Sequence, residues 1–194
     1  MKKMRMIALA TFAAISLSVS AQEPFSTVYL QYNPSSLKYS HDGYSLSTNY
    51  NAFTLGYSYS LPVTNSIPLY VEFGGAAQYA FKSEDDVTNN YLGIKIPVDV
   101  MYSIEFSDVF QLQPYAGFFG RVGIIGKTKD KHHDVTSDWF SDLDGKRFQF
   151  GINAGAKVRI SQKFTAGVGY YLDLTKVQEH THFEGFDIMI GLTF

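Results

Sequence analysis

Eight stretches of this 194-residue chain alternate bulky apolar residues with small or polar ones at a period of two. Successive strand side chains point to opposite sides, so the pattern demands a sheet with two chemically different faces. In the last stretch Phe186, Ile188, Ile190, Leu192 and Phe194 share one parity, and Asp187, Met189, Gly191 and Thr193 the other. Similar strands are predicted at residues 52–61, 69–81, 92–105, 110 to about 124, 148–160 and 164–173, with a short first strand at Thr27 to Tyr32. Long polar connections are expected at 33–51, 82–90, 127–146 and 176–185, and brief ones at 62–68, 107–108 and 161–163. Long and short connections that alternate in this way fit an antiparallel up-and-down barrel.

Two barrels satisfy such a pattern, one soluble with its apolar face inside, the other transmembrane with that face outside. Volume favours the second. Eight strands enclose a space just wide enough for side chains to fill, too narrow for the Phe, Tyr, Leu and Ile of the apolar set. The opposite set, rich in Gly, Ala and Ser, fits a crowded lumen. Aromatics also gather near both strand ends, Tyr57, Tyr59, Tyr102, Phe110, Phe164 and Phe194 at one level and Tyr79, Phe81, Phe118, Phe148 and Phe186 at the other, as interfacial girdles do. The fold expected is all-β, an eight-stranded antiparallel transmembrane β-barrel.

An export route is written at the N-terminus. Lys2, Lys3 and Arg5 precede an apolar run from Met6 to Val19, and Val19-Ser20-Ala21 has the small residues of a cleavage site. Residues 1–21 are thus expected to be a cleaved signal peptide, and residues 22–194 the barrel. Three of the 16 basic residues lie in the leader, leaving 13 against 18 acidic ones. That balance argues against a nucleic-acid partner. Cysteine is absent, so no disulfide contributes.

The inward parity carries Glu72, Asp99, Glu105, Asp173 and Asp187 against Lys95, Arg121, Arg147, Lys157 and Arg159. Unpaired charge is costly in a narrow interior, so these ten are expected to form an ion-pair and hydrogen-bond network that plugs the barrel. A selective pore would need a water-filled bore, which belongs to barrels of about 16 strands, and a ring of one sign. Pro97 and Pro114 fall inside central strands, where each should cause a bulge or a local loss of pairing.

Displayed loops are where a barrel carries chemistry. His132 and His133 lie in the third long connection, His180 and His182 in the fourth. With Asp134 and Glu184 they would hold zinc or copper if the two loops converged, although their spacing is not that of a structural zinc site. Otherwise they are solvated surface residues. Ser40, His41 and Asp42 are adjacent, whereas a catalytic triad converges from separate segments, and no GxSxG or HExxH occurs. The chain is therefore not expected to be an enzyme. Trp139 and Phe140, set among acids, either anchor a partner or pack on the rim. Lys127, Lys129 and Lys131 suit lipopolysaccharide phosphates.

The terminal residues Phe186, Ile188, Ile190, Leu192 and Phe194 resemble the C-terminal insertion signal of bacterial outer-membrane barrels. Over residues 25–194 the chain resembles the small-barrel family of outer-membrane protein A and its opacity-protein and X-type relatives. The Ala-Gln junction, Tyr32 to Pro34 and Leu112 to Gly117 are similar to the PorT-like barrels of Bacteroidetes. The resemblance implies a Gram-negative outer membrane, insertion by the barrel-assembly machinery, contact with outer-membrane lipid and lipopolysaccharide, and no known cofactor. With no segment after Phe194, a wall-tethering role is not expected. The function expected is a monomeric, non-enzymatic barrel with a charge-paired lumen that displays loops for envelope integrity or adhesion. A ligand-binding, metal-binding or lipid-modifying barrel using the loop histidines is the alternative.

Overall fold

The computed structural model describes residues 23–41, 44–64, 66–84, 86–142, 145–176 and 181–194, without the side chains of 40, 41, 44 and 45. The expected signal peptide lies outside the described residues. Eight long strands form the wall: β1 (Phe25–His41), β2 (Tyr44–Pro62), β3 (Leu69–Glu84), β4 (Val87–Tyr102), β6 (Phe110–Asp130), β8 (Phe148–Ile160), β9 (Phe164–Asp173) and β10 (Thr181–Thr193). Two short pieces, β5 (Ile104–Glu105) and β7 (Val135–Asp138), pair only with β6. Each strand pairs antiparallel with its sequence neighbours, β4 pairs directly with β6, and β1 pairs with β10 to close the cylinder. Reciprocal bonds between Ser26 and Phe194, at 2.8 and 3.0 Å, finish that seam.

The faces divide by bulk. Ile96 is 56% exposed and Phe150 37%, whereas the neighbouring-parity Lys157 is 8% exposed. Along β10 Phe186, Ile188, Ile190 and Leu192 all project outward, as does Phe194 just beyond it, while Asp187, Met189 and Thr193 are buried. Large lumen rings fit because glycines face them: a Cβ at Gly56 would strike the Tyr29 ring, and one at Gly169 the Tyr115 hydroxyl. No helix among the described residues is long and apolar enough to cross a membrane; the crossing elements are strands.

Several strands run farther than their apolar pattern. The segment 33–51, expected as a loop, is mostly a hairpin in unbroken register from Asn33↔Ala52 to His41↔Tyr44. Likewise β3 and β4 pair out to Glu84↔Val87, and β6 to Asp130, where β7 folds back on it. A strand of β2's 19 residues runs ~60 Å, and at a tilt of ~45° it rises ~40 Å, beyond a hydrocarbon core of about 30 Å. Outside lipid the outer face of a strand meets water, so the apolar alternation stops while the hydrogen bonding continues.

Prolines interrupt the ladders on one side only. Pairing of β4 with β3 lapses between Phe73↔Val98 and Ala76↔Lys95, opposite Pro97. Beside Pro114, β4 ends at Met101↔Tyr115 and β5 resumes at Ile104↔Leu112. Pro34 leaves a similar gap between Tyr32↔Ile188 and Ser35↔Gly185. A missing N–H on one edge accounts for each. The one register shift between β4 and β6 lies instead at Leu92/Gly93, where Ile124 and Ile125 both face outward.

Candidate functional site

The lumen is the most heavily organised part of the molecule. Eight of the ten charges assigned to it by parity are buried there: Glu72, Lys95, Asp99, Arg121, Lys157, Arg159, Asp173 and Asp187. Near the end with the short turns, Lys157 pairs with Glu72, whose other oxygen accepts from the Ser60 hydroxyl at 3.1 Å. Midway, Lys95 stands 3.8 Å from Asp187 and 4.5 Å from the centre of the Phe119 ring. Asn33 donates to Asp187 across the gap left by Pro34, and the Thr54 hydroxyl donates to Asn33 Oδ1 at 2.6 Å. Asn153 donates to Asp99 at 2.8 Å. Higher up, Arg121 pairs with Asp173 and donates to Gln78 Oε1 at 3.1 Å, amid the rings of Tyr91, Phe119 and Phe183.

Little space remains between these layers. A cavity of about 20 Å³ lies among Tyr29, Glu72, Asp99 and Lys157, and one of about 10 Å³ beneath Phe183. Each has room for about one water.

Two of the ten charges lie elsewhere. Arg147 is exposed at the rim, over the Phe140 ring at 4.3 Å, donating to the carbonyls of Gly123 and Ile124. It precedes the first residue of β8, so strand parity does not govern it. Glu105 lies past the break at Ser103 and is exposed at the opposite mouth, where Gln111 donates to it at 3.0 Å.

Trp139 does not offer a partner an exposed surface. It is buried in the lumen's upper end, donating its indole N–H to Thr128 Oγ1 at 2.8 Å and stacking on Tyr91 at 5.9 Å. Phe140 packs beside it against Gly123 and Gly126. The turn that swings them inward is held by Asp138, which accepts from the Phe140 and Ser141 N–H groups at 2.9 and 3.1 Å. These bonds keep the Asp138 carboxyl below its ordinary range.

The histidines do not assemble a metal centre among the described residues. His132 and His133 sit on the exposed tip joining β6 to β7, where His133 Nδ1 is 2.8 Å from Asp130. That hydrogen bond, with others from the backbone, lowers the Asp130 pKa. His182 lies on the outer face of β10, 3.9 Å from Glu184, which itself pairs with Lys38 at 2.5 Å. His180 and Asp42 lie outside the described residues, as do the side chains of Ser40 and His41.

The ten charges named from parity do not include the network's neutral members. Asn33 donates to Asp187 and Gln78 accepts from Arg121, while Tyr91 donates to Gln149 and the Tyr171 hydroxyl bonds that of Ser35. Parity could have found Gln78, Asn153 and Tyr171, since they alternate with the lipid-facing set.

The family model described as the outer membrane protein beta-barrel domain matches residues 7–194. The chain belongs to this family. It is accordingly an outer-membrane β-barrel of the Gram-negative type. No curated protein matches its sequence. Among solved structures, Ail, the attachment invasion locus protein of Yersinia pestis, is 16% identical with a TM-score of 0.52, covering 89% of this chain and 100% of its own. The outer membrane enzyme PagL is 13% identical with a TM-score of 0.57, covering 85% of this chain and 97% of its own. At these identities the likeness is one of fold. An attachment protein and an enzyme share that fold, so function resides in what each protein builds upon it.

Proposed function

We propose that this family member is a non-enzymatic, monomeric scaffold whose lumen is plugged by paired charges and whose strand-built hairpins are displayed outside the cell for envelope integrity or surface attachment. The observation that carries this reading is the lumen: at the level of its three buried ion pairs, amides and aromatic rings leave cavities of about 20 and 10 Å³. Hydrogen-bonded pairing of this kind makes buried charge tolerable while leaving no bore. Above the membrane, Lys127, Lys129 and Lys131 are exposed on the third hairpin and suit phosphates of lipopolysaccharide. Attachment is the role named for Ail; the hairpins here offer a surface for such a role. Export through cleavage after Ala21 belongs to the same proposal.

Single-channel recording of the refolded protein in planar lipid bilayers tests the plug. The expected trace is silent, and steady nanosiemens steps would overturn it. For the surface role, a non-adherent Gram-negative host expressing the chain is expected to adhere to epithelial monolayers, and to lose that gain when residues 131–137 are replaced by a Gly-Ser turn. Equal adherence of the two strains would remove attachment.

A further inference from the structure

The mouth at the short-turn end opens into a cavity of about 370 Å³ whose walls include Phe25, Tyr70, Glu105, Gln111, Arg159 and Phe194. In this family's architecture the short turns face the periplasm. The other three buried lumen bases each reach a carboxylate, Lys157 to Glu72, Lys95 to Asp187 and Arg121 to Asp173. Arg159 is only 8% exposed, yet among the described residues it forms no ion pair, and its Nε–H has no acceptor. Its guanidinium lies 4.2 Å over the Phe25 ring. Guanidinium donors lie in the plane of the group, and a carboxylate is the acceptor that their fork fits best.

Complementary groups stand beside Arg159, with Gln111 opposite it in register and Glu105 opposite Gln111 in turn. Glu105 is exposed at the rim, and Glu23 lines the same space. Gln111 holds Glu105 through its amide N–H, while its own Oε1 is buried and without a donor. These two carboxylates repel a simple dianion but attract an ammonium. Phe25 and Tyr70 meet edge-on at 5.4 Å and supply an apolar wall. The volume lies within the range of about 300–1,000 Å³ typical of small-molecule sites.

We propose that this mouth binds a small zwitterion, an amino acid or short unblocked peptide with an apolar side chain, its carboxylate on Arg159 and its ammonium between Glu105 and Glu23. The scaffold reading does not require such a site, and the two stand or fall separately.

Isothermal titration of the full mature chain, refolded in detergent micelles, tests it with leucyl-leucine, its N-acetyl form, its C-terminal amide and inorganic phosphate. One saturable site for the unblocked dipeptide is expected. Amidation should weaken it roughly tenfold or more, the size of a lost charged hydrogen bond, and phosphate should not compete. Arg159→Gln should abolish binding, and Glu105→Gln with Glu23→Gln should erase the preference for the free amine over the acetylated form. Absence of saturable binding by the wild-type chain, equal binding of the amide, or full binding by a folded Arg159→Gln protein would each overturn the site. The amide comparison uses the wild-type chain and decides even if Arg159→Gln fails to fold.

Discussion

Removing the Asp173 carboxylate while leaving Arg121 in place should be the most damaging single change in the upper lumen. The two residues are 3% and 2% exposed, and their ion pair lies within the cylinder. An arginine cannot shed its proton, so Asp173→Ala strands a buried positive charge, a defect that costs about 3–5 kcal/mol. What softens it is on hand: Gln78 Oε1 stays at 3.1 Å and the rings of Tyr91, Phe119 and Phe183 surround the guanidinium at 5.4 to 5.9 Å. A value near the lower bound, about 3 kcal/mol, is therefore expected. Replacing both partners, with Arg121→Met and Asp173→Leu, should recover most of the loss, because a well-packed apolar pair dispenses with both desolvation penalties. Reversible urea unfolding in lipid vesicles measures each variant. The sole tryptophan, Trp139, packs on Tyr91 above the pair, so its emission reports the upper lumen directly. A loss below about 1 kcal/mol for Asp173→Ala, or a double variant no better than the single, would refute the view that charge pairing holds the lumen together.

Other consequences follow from the same arrangement. Ile96→Arg, on the lipid face, should cost about 2–4 kcal/mol in the same unfolding assay if the site lies near the bilayer midplane, and a neutral result would misplace that face. Trp139→Ala should expose the third hairpin to chymotrypsin yet leave planar bilayers silent, since Arg121 and Asp173 still fill the level below. Asp138→Ala should likewise raise cleavage after Phe140 at pH 7 by freeing the turn that Asp138 caps. Because the folded Asp138 pKa is lowered, its contribution is present in full above the ordinary value of about 3.9 and fades as pH falls through the folded one. Acid-tolerant proteolysis should thus show wild type approaching the variant only below about pH 4.

The wall was legible in the sequence because lipid and lumen impose opposite demands on alternate residues. Phe53, Leu55 and Tyr57 face out, and Ala52, Thr54 and Ser58 face in, as their bulk implies. Where the membrane stops, the signal stops. From Pro34 to Asn51 the side chains are mixed on both parities, and the strand there shows in its backbone pairing and not in an apolar alternation. Glu105 and Arg147 show the limit of extrapolating parity past a strand's end: one follows a break in pairing, the other precedes the first paired residue of its strand. Trp139 depended on a fold-back of β7 that brings it onto Tyr50 and Tyr91, contacts remote in sequence and invisible to local pattern. The unpaired state of Arg159 was equally hidden, since charge counting balanced the lumen without saying which acid met which base.

Which way the side chains of one strand point is the claim beneath all the others. The chain has no cysteine, so single-cysteine spin labels can be walked along β4 from Gly93 to Met101 in a lipid-reconstituted sample. Collision with dissolved oxygen is expected to peak at positions 94, 96, 98 and 100 and to vanish at 95, 97 and 99. The opposite phase, or uniform access of a water-soluble nickel quencher to the odd positions, would contradict a barrel with a lipid-facing apolar wall and a filled interior.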